Sequence, residues 1–161
     1  MLIISLKNKK GEGYIVPCVF ILMFAMIFAM IFTYSASISK VNLMRENTKV
    51  VLDSFVTQNA TEIYNSIKQG NDYTEVIDTE KFCTSLISFC TLETDNGLLY
   101  SIDADGQELF HITEPTISFR EANELELVVN YTLTIPMYFA GKEFPAVNIP
   151  IEVTSVLTEK F

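Results

Sequence analysis

The longest pattern in the chain is an apolar run over residues 15–34, in which only Pro17 and Thr33 fall outside the apolar set. At about 1.5 Å of rise per residue, twenty helical residues span roughly 30 Å, the thickness of a bilayer's hydrocarbon core. A soluble helix of this length carries polar residues on its solvent face, and this run has none. The pattern therefore predicts a transmembrane helix. A cleaved secretory signal ending at the small residues 35–37 is the alternative, although its apolar region is normally only about 7–15 residues long.

Beyond the run, apolar positions recur at steps of three and four residues and predict one stripe along a helix. The stripe consists of Val41, Met44, Thr48, Val51, Leu52, Phe55, Val56, Ala60, Ile63 and Ile67. The opposite face is polar, so the stripe must pack against another element. Lys68 in the last turn and Gly70 after it predict where this helix ends. Serines at 35, 37 and 39 are able to bond to backbone carbonyls and bend the helix near the join.

The last ninety residues change from a helical period to a period of two. A short helix is predicted at about 79–89, with Asp78 or Thr79 as its cap. Strands are predicted at 98–103, 108–113, 116–120, 125–136 and 147–157, with turns at 104–107, 122–124 and 141–142. Pro136, Pro145 and Pro150 indicate strand ends or an edge strand. Along 125–136 apolar residues alternate with mostly polar ones, which is typical of an antiparallel sheet covered on one side.

Together these patterns predict an α+β fold, in which a long N-terminal helix packs on a C-terminal antiparallel β-sheet. The membrane span would continue into the amphipathic half, giving a helix of about 55 residues. We expect four segments: a short basic cytoplasmic leader at 1–14, a transmembrane helix at 15–36, an amphipathic helix at 37–70, and an extracytoplasmic α+β domain at 71–161. The apolar stripe of the helix is expected to cover the apolar face of the sheet.

Charge is distributed unevenly along the chain. Residues 1–49 hold six Lys or Arg and two acids, whereas residues 50–161 hold five Lys or Arg and eighteen acids. An acidic domain repels phosphate backbones, so nucleic acid is excluded as an expected partner. Basic residues flank both ends of the span, which nearly balances the positive-inside count. The short basic leader and the acidic outer domain favour a single-pass protein of the cell membrane with its N-terminus in the cytoplasm.

The sequence offers little catalytic or metal-binding chemistry. Its single histidine, His111, lies in a predicted strand without a serine elbow, a phosphate loop or a second metal-binding histidine nearby. The segment 101–106 resembles the start of a calcium loop, but the twelfth position is Ile112, where that loop needs a carboxylate. A two-strand turn explains the same Asp-Gly pair. We therefore predict a protein without enzymatic activity, catalytic residues, cofactor or metal.

Two cysteines, Cys83 and Cys90, are seven positions apart in the predicted outer domain, where the compartment permits disulfides. On one continuous helix they would lie about 10 Å apart along the axis, too far to bridge. A disulfide between them therefore requires the short helix to end between them, and this pairing is left open. Cys18, inside the apolar run, is interpreted as a small apolar filler.

The entry to the span, Lys10-Gly11-Glu12-Gly13-Tyr14-Ile15-Val16-Pro17, has a glycine, an acid, an aromatic residue and a proline before the apolar run. With the layout of the rest of the chain, it resembles the TadE/TadF-like minor pilins, or pseudopilins, of tight-adherence (Tad/Flp) type IV pilus systems. The resemblance implies a pilin-like fold and a structural subunit whose N-terminal helix contacts the lipid bilayer and then other pilus or secretion-system subunits.

The resemblance also implies prepilin processing or subunit registration at Gly11, Glu12 and Gly13. In the pilin pattern, a peptidase cuts after a glycine and leaves a glutamate at the fifth mature position. Here a cut after Gly11 would make Glu12 the first mature residue, and a cut after Gly13 would remove it. The entry thus departs from the pilin pattern.

A different class of function is also open, namely a single-pass, membrane-anchored extracytoplasmic binding or sensory domain that does not polymerise. A sensor needs a cytoplasmic output, and the roughly ten residues before the span are too few for a signalling domain. A membrane-anchored enzyme is disfavoured because the sequence presents no catalytic constellation.

Overall fold

The computed structural model describes residues 14–70, 76–121, 124–139 and 142–157. These residues form helices α1 (Ile15–Gln69) and α2 (Thr79–Cys90) and strands β1 (Glu93–Asp95), β2 (Leu98–Ile102), β3 (Glu108–Thr113), β4 (Thr116–Glu121), β5 (Leu125–Phe139) and β6 (Lys142–Val156). Contacts divide the chain into two compact units, Met1–Lys40 and Val41–Phe161. The second unit thus contains the C-terminal half of α1 together with α2 and the sheet.

The predicted apolar stripe of α1 is confirmed over most of its length. Its buried residues are Met44, Thr48, Val51, Leu52, Phe55, Val56 and Ile63. Apart from Thr48, they join one core cluster with α2 and with the inner face of the sheet, as the alternating pattern of β5 predicted. Ile67, at the end of the stripe, remains 41% exposed because the helix ends shortly after it. The helix stops as predicted at Gly70, which adopts φ 68° and donates its N–H to the carbonyl of Ile67.

Helix α2 begins and ends for local reasons. Asp78 is its N-cap, and its carboxylate accepts a hydrogen bond from the backbone N–H of Lys81. This bond holds the pKa of Asp78 below its usual range. At the other end Thr91 adopts the left-handed conformation with φ 52°, and Leu92 donates its N–H to the carbonyl of Ile87. The helix therefore extends one residue past its predicted end and includes Cys90.

The described strands form a six-stranded antiparallel sheet around β5. One edge of β5 pairs with β4 over 125–130 and then with β3 at 133–134, while β6 pairs along nearly the whole of its other edge. Strand β3 continues outward to β2 and β1. All five predicted strands are present, and the predicted hairpin at 104–107 joins β2 to β3. Most strand ends shift by at most three residues, but β6 begins five residues earlier than predicted and includes Lys142, which was predicted as part of a turn. The turn residues 122–123 and 141 lie outside the described residues.

Strand β1 was not predicted, although the sequence carries a signal for it. Asp95 pairs with Leu98, and the two-residue turn between them is Asn96-Gly97, with φ 49° and 77°. Positive φ at both positions is the type I′ geometry that Asn-Gly favours in hairpins. The three residues of β1 are all exposed, so they lack the apolar alternation by which the other strands were identified.

Strands β3 and β4 lie end to end along β5, and their junction interrupts the backbone ladder. There, the hydroxyl of Thr113 accepts a hydrogen bond from the N–H of Thr132 at 3.0 Å. On the other side of the junction, Thr116 donates its hydroxyl to the carbonyl of Asn130 at 3.3 Å. The Thr113 hydroxyl thus serves Thr132, which pairs with neither β3 nor β4, and the Thr116 hydroxyl adds to the ladder pair of Thr116 with Asn130.

The prolines lie at positions where the sheet does not require a backbone N–H for a ladder hydrogen bond. Pro145 and Pro150 lie in β6, which pairs only with β5 among the described strands, so it is the edge strand that the prolines predicted. For Pro136 the prediction of a strand end or edge strand is wrong, since it lies inside β5, at the register shift between Ile135 and Met137. The local bulge removes the need for a ladder hydrogen bond at that position.

Candidate functional site

The candidate functional site is the apolar first half of α1. Every residue in 15–34 is exposed except Ala29 and Thr33, which are half-buried, and no charged residue occurs between Tyr14 and Lys40. The helix is long and apolar enough to cross a membrane. Pro17 lies in its first turn, where the missing N–H has no partner in an α-helix. This first half is therefore compatible with a single-pass membrane anchor.

Three hydroxyl groups at the end of the apolar run and just after it donate hydrogen bonds within the helix itself. Thr33 donates to the carbonyl of Ala29 at 2.9 Å, Ser37 to Thr33 at 3.0 Å, and Ser39 to Ser35 at 3.1 Å. The predicted competition for backbone carbonyls does occur, but the α-helix continues through it to Gln69. A hydroxyl bonded in this way is tolerated in lipid because its donor is paired.

The residues predicted to direct processing or registration, Gly11, Glu12 and Gly13, lie outside the described residues. So does the rest of the leader through residue 13, including its lysines. Their roles stay predictions based on the sequence.

The hypothesis of a disulfide between Cys83 and Cys90 does not fit the structure. It required a helix end between the two cysteines, and α2 runs continuously through both. Both are free thiols, since seven residues of helix separate their Cα atoms by about 10 Å along the axis, beyond the reach of a disulfide. Burial raises the pKa of both thiols, and for Cys83 the nearby Glu114 and Glu80 add to the rise. The thiolate is therefore disfavoured, as expected for packing residues.

A polar clasp of four residues fixes α1 to the edge strand β6. Lys49 Nζ donates to Asp53 Oδ1 at 2.6 Å and to the carbonyl of Thr154 at 2.7 Å. Ser155, which is buried, donates its hydroxyl to the same Asp53 oxygen at 2.5 Å. The charged groups are half-exposed, so solvent screens the ion pair and it adds little to the free energy of unfolding. The main effect of the clasp is to fix the position of α1 against β6.

The clasp also protects the open edge of β6. Leu157 donates its N–H to the carbonyl of Leu125, which fixes the alternation of the ladder and turns the backbone groups of Thr154 and Pro150 away from β5. Lys49 occupies the carbonyl of Thr154, and Pro150 has no N–H to offer. A strand from another chain would therefore find two of the edge positions closed.

A buried hydroxyl pair lies between α1 and the sheet. Thr48 and the Tyr131 phenol are 2.9 Å apart, Thr48 donates to the carbonyl of Met44 at 2.8 Å, and Tyr131 Oη lies 3.5 Å from that same carbonyl. Both side chains are buried. The sequence patterns put Thr48 in the apolar stripe of the helix and Tyr131 in the alternating segment 125–136, without pairing the two residues. The only signal was a hydroxyl at a core position of each element, because a buried hydroxyl requires a partner.

The Tyr131 phenol makes stability depend on pH in the alkaline range. Burial raises its pKa to about 12 against 10 in the unfolded chain, outweighing the hydrogen bond with Thr48. Below about pH 10 the phenol is neutral in both states and its contribution is complete. Between about pH 10 and 12 the unfolded chain loses the proton first, so the free energy of unfolding should fall by up to about 1.4 kcal/mol per pH unit.

The test is urea unfolding of the full chain in detergent micelles at pH 9 and at pH 11.5. Tyr131→Phe should remove this part of the pH dependence and cost about 1 kcal/mol at pH 9, where the hydrogen bond is lost. The matched control is Tyr100→Phe, since Tyr100 lies on β2, is only half-buried and is not part of the Thr48–Tyr131 pair. An equal pH dependence in all three proteins would contradict the assignment.

The remaining polar groups serve turns and local packing. His111 Nδ1 lies 2.6 Å from Glu108 Oε1, and its ring lies 5.3 Å from that of Tyr100. Asp103 Oδ1 accepts the backbone N–H groups of Asp105 and Gln107, so this carboxylate of the calcium-like segment closes the β2–β3 turn. Within the described ranges, no group of three or more His, Cys, Asp or Glu side chains is arranged to hold a metal ion.

Comparison of the chain with protein-family models, with curated proteins and with solved structures finds no match.

Proposed function

We propose that the chain is a minor-pilin-like structural or assembly subunit of a type IV (Tad/Flp-like) pilus or a related secretion apparatus, anchored by one membrane helix. The observation that carries the proposal is the continuity of α1. Its first half presents apolar side chains all round, and its second half packs against an antiparallel sheet. The role is structural and requires neither a reaction nor a cofactor.

In the proposed mechanism, the bilayer holds the subunit by residues 15–34 until an assembly machine draws it into a fibre or its base. The apolar helices of neighbouring subunits then replace lipid around one another. Ala25 and Ala29 are four residues apart, so they share a helix face and permit close helix approach. The buried stripe and the Lys49–Asp53–Ser155 contacts transmit force applied to the helix into the sheet domain.

The proposed orientation places the N-terminus in the cytoplasm and the C-terminal domain outside. It is supported by the basic leader, with Lys7, Lys9 and Lys10, and by the excess of acids over residues 50–161. A domain with this excess stays soluble once the helices associate.

The test is the intact mass and N-terminal sequence of the chain isolated from its native membranes, together with its presence in sheared surface fibres. A mature chain beginning at Glu12 or Tyr14 and recovered in the fibres is the expected result. Gly11→Val and Gly13→Val variants identify the processing site, because only the change at the cleaved junction should leave the leader in place.

Two results would overturn the proposal. An intact Met1 in a chain that stays with the membrane after shearing would leave an anchored domain that does not assemble. A chain beginning near Ser37 would identify the apolar run as a removed signal and the domain as secreted.

A further inference from the structure

The β5–β6 hairpin extends beyond the rest of the sheet as a two-stranded arm. Thr134 is the last β5 residue that pairs with β3, and residues 135–139 pair only with 142–147 among the described strands. Over residues 135–147 only Lys142 and Glu143 are charged. The sheet thus ends in an apolar projection.

Apolar side chains are exposed on both faces of this arm. Tyr138 is 55% exposed, Phe144 49% and Val147 42%. Met137 pairs with Phe144, so these two share one face, and Tyr138 as the next residue points to the other. A hairpin that only covers a core hides its apolar residues on one face and shows polar residues on the other. The arm thus differs from such a hairpin, because apolar side chains are exposed on both of its faces.

The contacts of α1 with the sheet show in which direction the arm projects. Thr48 meets Tyr131, which pairs with Ile151, and Asp53 meets Ser155. Moving toward the N-terminus of the helix therefore means moving along β5 toward Phe139. About 8 Å of helix axis, from 53 to 48, corresponds to about 13 Å of strand, from 155 to 151.

By the same ratio, the strand segment from Tyr131 to Tyr138 covers a distance that corresponds to roughly 13 Å along the helix axis. Along that axis, Val41 lies about 10 Å from Thr48, the residue that contacts Tyr131. The arm thus reaches the Val41 end of the domain or passes it. Residues 34–41 belong to one continuous helix, so Val41 lies within about 10 Å of the end of the apolar run. The headgroup layer adds about 5–8 Å on each side of the hydrocarbon core.

We propose that the tip of the β5–β6 arm, with Tyr138 and Phe144, rests in the headgroup layer of the same bilayer that holds α1. The inference rests on the membrane anchorage in the proposed function. Tyrosine is enriched at this depth because its ring is apolar while its hydroxyl stays hydrated. A second contact beside the helix restricts how the domain tilts over the membrane, and so presents the rest of its surface in one orientation.

The chain contains no tryptophan, so one introduced tryptophan reports its own surroundings by fluorescence. The full chain carrying Tyr138→Trp is reconstituted into phosphatidylcholine vesicles, with and without lipids brominated near the headgroup. The expected result is blue-shifted emission and a strong loss of intensity with the brominated lipids. The matched control is Phe89→Trp, since Phe89 is 54% exposed and belongs to α2 rather than to the arm. Its emission should stay red-shifted and unquenched.

A third variant, Phe24→Trp, separates failure of the arm contact from failure of the anchorage. Quenching of Phe24→Trp by chain-brominated lipids, with Tyr138→Trp as unquenched as Phe89→Trp, would overturn the arm contact and leave the anchor intact. Blue-shifted emission from Tyr138→Trp without quenching would also overturn it, by indicating a protein contact. An unquenched Phe24→Trp would refute the anchorage and the arm contact together.

Discussion

A chain carrying Phe24→Arg and Phe28→Arg should no longer be retained in membranes. Both side chains are exposed near the middle of the apolar run. The eleven Ile, Leu, Phe and Val residues in 15–34 contribute roughly −3 to −7 kcal/mol to insertion. Two central arginines in place of phenylalanines oppose this by about 6–8 kcal/mol, which cancels the preference for lipid.

The measurement is the fraction of the chain that stays with membranes after an alkaline carbonate wash. Phe24→Leu with Phe28→Leu is the control, because it changes shape at the same positions without adding charge. The arginine variant should move to the soluble or aggregated fraction while the leucine variant pellets like the native chain. Equal retention of the two variants would show that these positions do not face lipid.

The second large effect is expected from Phe82→Ala in the core of the domain. Phe82 is fully buried on α2, and its ring meets that of Phe55 edge to face at 5.6 Å. Removing a buried phenylalanine ring costs about 3–5 kcal/mol, from the lost burial and the cavity that remains. A single domain has a total stability of about 5–15 kcal/mol, so the loss is a large part of it.

The measurement is pulse proteolysis of the full chain in micelles at increasing urea concentration. It reports the urea concentration at which the sheet domain unfolds and becomes cleavable. Phe89→Ala is the matched control on the same helix, because its side chain is half-exposed and should change the unfolding midpoint little. If the two alanine variants unfolded at the same urea concentration, the packing of α2 against α1 would be refuted.

Local patterns predicted most of the elements because they act over a few residues. Each element was predicted from residues close together in the chain: α1 from its three- and four-residue steps, the start of α2 from the Asp78 cap, and β5 from its alternation. Strand β1 was not predicted because its three residues are all exposed and show no alternation of apolar and polar residues. The end of α2 was placed one residue early, since the left-handed Thr91 that closes the helix is an uncommon choice for that position.

The candidate anchor was predictable in the same way, because a membrane span depends only on the length and apolar character of one segment. The contacts that join the domain were not. Thr48 and Tyr131 are 83 residues apart, and Asp53 and Ser155 are 102 residues apart. The local pattern assigns each of these residues to a helix, a strand or the surface. It does not indicate which distant residue each one contacts.

By itself, the sequence determined the apolar run, the amphipathic stripe, the helix caps and the strand alternation, since burial and capping follow from the types of neighbouring residues. Only the tertiary structure decided that β3 and β4 share one edge of β5, that Lys49 closes the edge of β6, and that Cys83 and Cys90 remain thiols on one helix. It also decided that the β5–β6 arm projects toward the Val41 end of the domain. These features depend on the register between distant segments, which is selected by the packing of the whole core rather than by any one stretch of chain.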